Sequence, residues 1–371
     1  MLAIATVPIN YFNEILGLFT LSIDSSLFKI FKDLVLVLCI FFNLLVLSIV
    51  ASRVRVVPLM SLLFIVPLSL MASLLGDYGI LGAISGFRSI LPLLFILIIC
   101  LNKSEPGYGE ITTLKVIFYL QLLLQIYEFF WGQSRWETYE SIGLSARNAG
   151  MFTYPSTAGY FAVFTYIFLK TFYQSSAYFT IAVIISTVLS GSFGALVVLI
   201  VYLTMTLGAF LLVPIFLLSF AGGYAFLQVR AFEDLIYLSL ISRLNIFWDI
   251  YRDVGLFSSS FGYYSNTGAF ILGGPTVDST VNYILGSFGL MGLVIYFLAL
   301  FLAVCLRVAN HRSTSVLAVF FATSFLVSIL EVYPANLLIL MLIYRVGSAG
   351  KIFSREGKLS FYSNFKYRDG S

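Results

Sequence analysis

Arginines that border long apolar stretches are the residues of this sequence best suited to chemistry. A guanidinium is a planar fork that binds two phosphate oxygens at once, whereas a lysine ammonium is a point charge. Under the topology that the charge distribution predicts, the outer side carries two of the eight lysines but six of the thirteen arginines, which are Arg88, Arg135, Arg147, Arg230, Arg243 and Arg252. The arginine-rich side therefore indicates a surface that binds an anion.

Some of these arginines have acids close enough in sequence to form ordinary surface pairs. Arg252 follows Asp249 by one helical turn, and Arg135 lies near Glu137. Pairs of this kind stabilise a protein by about 0–1 kcal/mol. Arg88 and Arg147 have fewer acids nearby and border apolar segments, where an unpaired charge is expensive. We therefore expect functional roles for Arg88 and Arg147.

The elements that position these residues are predicted to be membrane-spanning helices. The chain of 371 residues is 60% apolar and 10% charged, with a mean hydropathy of +1.01, which soluble domains do not reach. Its apolar runs are continuous over about 20 residues, the length of a spanning helix. We predict an all-α polytopic membrane protein whose roughly twelve spans are 3–21, 34–52, 56–75, 82–101, 111–131, 152–170, 173–189, 192–206, 209–227, 281–304, 315–333 and 335–350.

The distribution of lysine and arginine orients the chain with both termini in the cytoplasm. This orientation places thirteen of the twenty-one Lys and Arg residues inside, including those of a basic cytoplasmic tail over 351–371. Residues 1–350 then form one transmembrane domain, with the loop 228–280 inserted at the outer face. The orientation depends on parity, because the uncharged stretch 171–229 is interpreted as three helices and two would invert everything after it.

The long outer loop divides into a helix and a segment rich in glycine, serine and tyrosine. Polar and apolar residues recur at three- and four-residue steps over 233–255, which predicts an amphipathic helix on the membrane surface. Residues 256–280 have the composition of a mobile loop whose rings and hydroxyls could contact sugars. The alternative is a plain helix and linker that pack on the bundle for stability.

Two segments carry a resemblance to a known superfamily. RNAGMFTYPSTAGYFAVF, which starts at Arg147, resembles the R-x-x-G-x-F-x-x-P-x-x-x-G segment of the O-antigen polymerase and ligase families. The outer loop with Arg243 and Trp248, followed by DSTVNYILGSFGLMGLVIYFL, is similar to their second landmark. The resemblance covers roughly residues 80–350. The chain departs from it at Ser192-Phe193, where related proteins often have Ser-Arg.

The resemblance implies a membrane glycosyltransferase of GT-C architecture in the bacterial inner membrane. Wzy-type O-antigen polymerases join oligosaccharide repeat units linked to undecaprenyl diphosphate, at the periplasmic face, into the polysaccharide of lipopolysaccharide. The implied partners are the lipid-linked glycan donor and acceptor, membrane lipid and a chain-length regulator protein, without nucleic acid. A ligase of this superfamily relies on a periplasmic histidine, whereas the one histidine here, His311, is predicted in a cytoplasmic loop. This difference favours the polymerase.

In such a reaction, negative charge develops on the lipid diphosphate as it leaves. Fixed arginines can stabilise that charge by electrostatic preorganisation, and the predicted outer side has no cluster of ligands for a metal, so neither a metal nor a cofactor is expected. Arg147 and Arg243 are the first candidates, followed by Arg88, Arg230 and Arg252. Asp278 is the first candidate for the base that accepts the proton of the attacking hydroxyl, with Glu331 and Asp253 as rivals.

Simpler roles and other functions stay open for several of these residues. Asp278 could instead cap the helix that begins at Ser279, and Glu331 could mark the end of a span. Aromatic residues could line the sugar site, although tyrosine and tryptophan are common at membrane interfaces; they are Tyr154, Trp248, Tyr263, Tyr264 and Tyr283. The alternatives to a polymerase are an O-antigen ligase, a flippase of lipid-linked oligosaccharides and a non-catalytic assembly protein.

Overall fold

The structure is a computed structural model that describes residues 25–49, 56–101, 108–131, 148–152, 155–172, 176–207, 241–275, 277, 279–307, 311–328 and 335–349. Every regular element in this part of the chain is an α-helix, as the hydropathy pattern predicts. The helices are α1 (Ser25–Ile49), α2 (Val56–Leu74), α3 (Gly79–Leu101), α4 (Tyr108–Trp131), α5 (Pro155–Phe172), α6 (Ala177–Leu189), α7 (Phe193–Leu207), α8 (Ser242–Asp253), α9 (Asn266–Leu272), α10 (Thr280–Arg307), α11 (His311–Leu326) and α12 (Ala335–Ala349).

Three of these helices are long and apolar enough to cross a membrane. The candidate spans are Gly79–Leu101, Ile111–Phe130 and Thr280–Leu298, within α3, α4 and α10. The other apolar helices have shorter described stretches, such as Ala177–Leu189 in α6. The predicted spans 3–21 and 209–227 lie outside the described residues, as does the predicted tail 351–371.

Helix α5 lies at the centre of the main hydrophobic core. Its residues from Ala158 to Leu169 are all buried, and Phe161 and Ile167 have no exposed surface. Helices α4, α6, α7 and α12 pack around it. Protein therefore surrounds this mostly apolar helix, as expected for a helix at the centre of a core.

A second core joins α3, α8 and α10 with the segment that connects α8 to α10. It contains Ile90 of α3, Ile250 of α8, and Val281 and Leu285 of α10. Residues 256–280 were expected to form a mobile loop, and this expectation is wrong for much of the segment. Phe261 has 1% of its surface exposed, and a Cβ on Gly86 of α3 would lie 2.3 Å from its ring, so this glycine leaves room for the ring.

Helix ends that the sequence places on the outer side meet at one end of the molecule. Asn148 N donates to Leu189 O at 2.9 Å, Asp77 N donates to Ser259 O at 2.7 Å, and Thr280 N donates to Val327 O at 3.1 Å. A Cβ added to Gly194, at the start of α7, would lie 3.5 Å from the Leu326 Cβ at the end of α11. We call this end of the molecule the loop end. The contacts between these helix ends are those expected if successive helices run in alternating directions.

Helix α10 has a break that its sequence does not reveal. Gly289 has φ 76° and ψ −172°, which only glycine adopts readily. Leu290 N donates to Gly255 O at 3.3 Å, and Met291 N donates to Leu256 O at 3.1 Å. The chain after α8 therefore fills the break and satisfies the backbone donors that follow it.

Candidate functional site

A stripe of buried polar side chains runs along α4 to the loop end. Gln121, Gln125 and Glu128 are spaced four and three residues apart, which places them on one face of the helix. Their exposed fractions are 0%, 0% and 5%. Polar groups inside a candidate span are costly unless they are hydrogen-bonded, and they often mark a functional site.

The α4 stripe holds the backbone of residues 148–151, which directly follow Arg147. Gln121 Nε2 donates to Ala149 O at 3.0 Å, and Met151 N donates to Gln121 Oε1 at 2.7 Å. Gly150 N donates to Glu128 Oε2 at 2.8 Å. Because three consecutive residues of the segment are bonded to α4, the segment has one defined position.

Gln125 joins the same segment to α6. Its Nε2 donates to Asn148 O at 3.1 Å and to Ser186 O at 3.3 Å, while Ser186 Oγ donates to Gln125 Oε1 at 2.5 Å. Asn148 N is bonded to Leu189 O, at the C-terminal end of α6. Asn148 is thus fixed between α4 and α6.

The structure explains why four positions of the motif have their residue types. Gly150 has φ 59°, and a Cβ there would lie 2.6 Å from Gln121 Nε2. Phe152 is buried, and its ring centroid lies 5.0 Å from that of Phe161. Pro155 is the first residue of α5. A backbone N–H at this position would have no acceptor within the helix, so proline loses no hydrogen bond there. A Cβ on Gly159 would lie 2.6 Å from Ser190 Oγ. Arg147 and Tyr154 lie outside the described residues.

Arg88 has an acidic partner, contrary to our expectation. Its Nε lies 2.6 Å from Asp33 Oδ2 of α1, and both side chains are partly exposed, at 29% and 23%. The pair lies in an open groove of about 470 Å³ between α1 and α3, whose apolar lining includes Val37, Ile84 and Phe87. Arg88 therefore does not carry an unpaired charge.

Three other predicted site residues lie where α8, α10 and the connecting segment pack. Asn282 Nδ2 donates to the backbone oxygen of half-buried Arg243 at 3.0 Å. Tyr283 has no exposed surface, and Tyr264 is 7% exposed, with its ring against Gly286. These two tyrosines are packed in the second core and present little surface to a ligand.

The exposed predicted residues of α8 are Trp248, at 55% exposure, and Arg252. Arg252 lies in the last turn, where a positive charge is favourable near the helix C-terminus. Asp253, the rival base, is also exposed at the end of this helix. Arg230, Asp278 and Glu331 lie outside the described residues.

The residues just before α3 meet the connecting segment through Asp77 and Tyr78, which the sequence analysis did not single out. Ser259 Oγ donates to Asp77 Oδ2 at 2.5 Å. The rings of Tyr78 and Tyr263 are stacked, with centroids 4.5 Å apart. Burial raises the pKa of Tyr78, and the neighbouring Tyr263 and Asp77 raise it further. Burial also raises the pKa of Tyr264, to which Asp253 adds.

Within the described residues, His, Cys, Asp and Glu side chains form no group of three that could hold a metal ion. The chain matches none of the protein-family models and none of the curated proteins with which it was compared.

Proposed function

We propose that this protein is a membrane glycosyltransferase that polymerises oligosaccharide repeat units linked to undecaprenyl diphosphate. In this proposal it has about twelve spans and GT-C architecture, lies in a bacterial inner membrane and acts at the periplasmic face. The observation that carries the proposal is the fixed backbone of residues 148–151. It supports a preorganised backbone directly after Arg147, the first residue of the R-x-x-G-x-F motif.

The fixed segment supports the proposal because electrostatic catalysis requires charges that are already in place. A flexible arginine would have to be ordered when the substrate binds, and this ordering would cost free energy. The residues after Arg147 need no such ordering, since α4 and α6 already bind their backbone. A lipid diphosphate could therefore bind beside this segment without the free-energy cost of ordering its backbone.

In the proposed reaction, a hydroxyl of the acceptor glycan attacks the anomeric carbon of the donor chain. A glycosidic C–O bond forms, and the bond between that carbon and the diphosphate oxygen breaks. The hydroxyl proton passes to a carboxylate, for which Asp278 is the first candidate and Glu331 and Asp253 are the others. The leaving undecaprenyl diphosphate takes the bonding electron pair, and Arg147 and Arg243 stabilise its negative charge. No metal takes part in this proposal.

The direct test supplies the purified full chain with lipid-linked repeat units, a lipid A core acceptor, excess chelator and no nucleotide sugar. We expect a ladder of longer lipid-linked glycans and release of undecaprenyl diphosphate. If the chain transfers glycan only to a lipid A core acceptor, the proposal fails and the ligase is correct. If neither product forms and the starting lipid is intact, the protein does not catalyse this transfer.

The break in α10 makes a flippase the second candidate, because broken spans often form binding sites in transporters. Here, however, the two backbone donors just after Gly289 are bonded to Gly255 and Leu256. They are thus occupied by the chain itself and cannot bind an anionic substrate. Reconstituted liposomes distinguish the two functions, since a flippase would move the lipid-linked unit across the bilayer without lengthening it.

A further inference from the structure

Helix α8 has an exposed apolar stripe that is separate from the face packed on α10. The stripe consists of Ile241, Leu244, Trp248 and Tyr251, at intervals of three, four and three residues. Their exposed fractions are 40%, 48%, 55% and 45%. The Trp248 and Tyr251 rings contact each other edge to face, with centroids 5.8 Å apart. These large apolar side chains thus form one continuous surface.

The stripe is one of three faces of the helix. Ile246, Ile250 and Val254 form the packed face, while Asn245, Asp249 and Arg252 form an exposed polar face. Because each residue advances an α-helix by about 100°, the apolar stripe covers a sector roughly 80° wide, between the packed and polar faces. A helix that lies parallel to the membrane plane and also packs against a protein requires three such faces: one toward the protein, one toward lipid and one toward water.

The stripe continues onto the outward face of a candidate membrane span. Leu256 and Phe257 follow the helix and are exposed, at 54% and 66%. Met291 of α10 donates its backbone N–H to Leu256 O. The apolar surface then extends along α10 through Met291, Val294 and Leu298, which are exposed at 37%, 52% and 53%. Lipid around α10 would therefore also meet the stripe of α8.

We propose that α8 lies in the plane of the membrane, with its Ile241, Leu244, Trp248 and Tyr251 stripe in lipid at the boundary between headgroups and acyl chains. Its polar face then points to water, and its packed face holds it to α10. Trp248 is an anchor in lipid in this proposal and does not bind sugar. The proposal goes beyond the glycosyltransferase function, and it requires only that α10 crosses a membrane.

The test uses tryptophan fluorescence of the full chain in nanodiscs whose lipids are brominated in the upper half of the acyl chain. The variant W131F/W136F leaves Trp248 as the sole tryptophan, because the chain has three. We expect bromination to lower the Trp248 emission by about twofold. Two matched controls in a W131F/W136F/W248F background report other positions: V294W on the outward face of α10, and N245W on the polar face of α8.

We expect bromination to quench V294W as well, and N245W to be quenched mainly by acrylamide in the water. The proposal is overturned if V294W is quenched by bromine but Trp248 is quenched only by acrylamide, since α8 would then lie in water. It is also overturned if Trp248 is shielded from both quenchers, because the stripe would then be covered by protein. If bromine quenches neither Trp248 nor V294W, α10 does not face lipid and the proposal fails at its premise.

Discussion

At the scale of single residues, Glu128 is the residue of the α4 stripe whose burial costs the most free energy. An amide oxygen could accept the Gly150 N–H as well as a carboxylate does, as Gln121 does for Met151 N. Burial of an ionised carboxylate costs several kcal/mol more than burial of an amide. We therefore expect the carboxyl group of Glu128 to have a role at the loop end beyond its hydrogen bond to Gly150 N, beside the segment that follows Arg147.

Two substitutions of Glu128 separate the role of its carboxyl group from the role of its hydrogen bond to Gly150 N. Glu128→Ala leaves the buried Gly150 N–H without its acceptor, so we expect the free energy of unfolding to fall by about 1–3 kcal/mol. Glu128→Gln keeps an acceptor, so we expect stability close to that of the parent but slower glycan transfer. Thermal unfolding and the rate of ladder formation measure the two effects. Full activity in Glu128→Gln would show that the carboxyl group has no role beyond accepting this hydrogen bond.

The polar stripe was visible in the sequence QLLLQIYE, but hydropathy assigns these residues to an apolar span. Only the fold shows that they bind the backbone of the R-x-x-G-x-F motif. The partner of Arg88 could not be predicted for a related reason. Asp33 lies in another helix, and no local pattern indicates which helices are neighbours.

At the scale of elements, helix positions could be predicted well, and the conformations between them could not. Continuous apolar runs locate α3, α4 and α10 because a span requires about 20 apolar residues. The break at Gly289 has no such signature, since LGSFGLMG contains several small residues and only the backbone angle singles out one of them. The Gly- and Ser-rich composition of residues 256–280 is likewise compatible with a mobile loop or with a closely packed segment. The structure shows close packing at Phe261 and Tyr264, which are both buried.

The break in α10 can be tested by the substitution Gly289→Ala, which adds one methyl group. A Cβ on Gly289 would lie 2.6 Å from Leu256 O, and the backbone angles there disfavour other residues. We expect Gly289→Ala to lower the free energy of unfolding by about 1–3 kcal/mol. Gly109→Ala is the control, because a Cβ there meets nothing within 4 Å. Equal unfolding temperatures for both variants would mean that α10 has no such break.

The contact between α3 and the connecting segment predicts an alkaline loss of stability. Burial favours neutral Tyr78 and raises its pKa above 10.0. The unfolded chain therefore loses this proton at a lower pH than the folded chain, and stability falls as the pH rises above about 10. We expect Tyr78→Phe to remove part of this fall. Thermal unfolding between about pH 8 and about pH 11 measures the difference.

At the scale of the whole molecule, the described helix ends agree with the predicted alternation. The ends of α6 and α11 and the starts of α3, α7 and α10 meet at the loop end. Counting apolar segments could predict which helix ends share a side, because each span reverses the direction of the chain. It could not predict which helices are neighbours, or that α5 is enclosed on all sides, because these depend on packing between distant segments.

The central claim is that the arginine before the fixed segment stabilises a departing lipid diphosphate. Its most direct test is the initial rate of ladder formation for Arg147→Lys, which keeps the charge and loses the fork. Arg135→Lys is the matched control, because Arg135 has acidic sequence neighbours. We predict a fall of roughly 10-fold to 100-fold for Arg147→Lys, with normal membrane insertion, and little change for Arg135→Lys. An unchanged rate in the Arg147→Lys variant would contradict the claim.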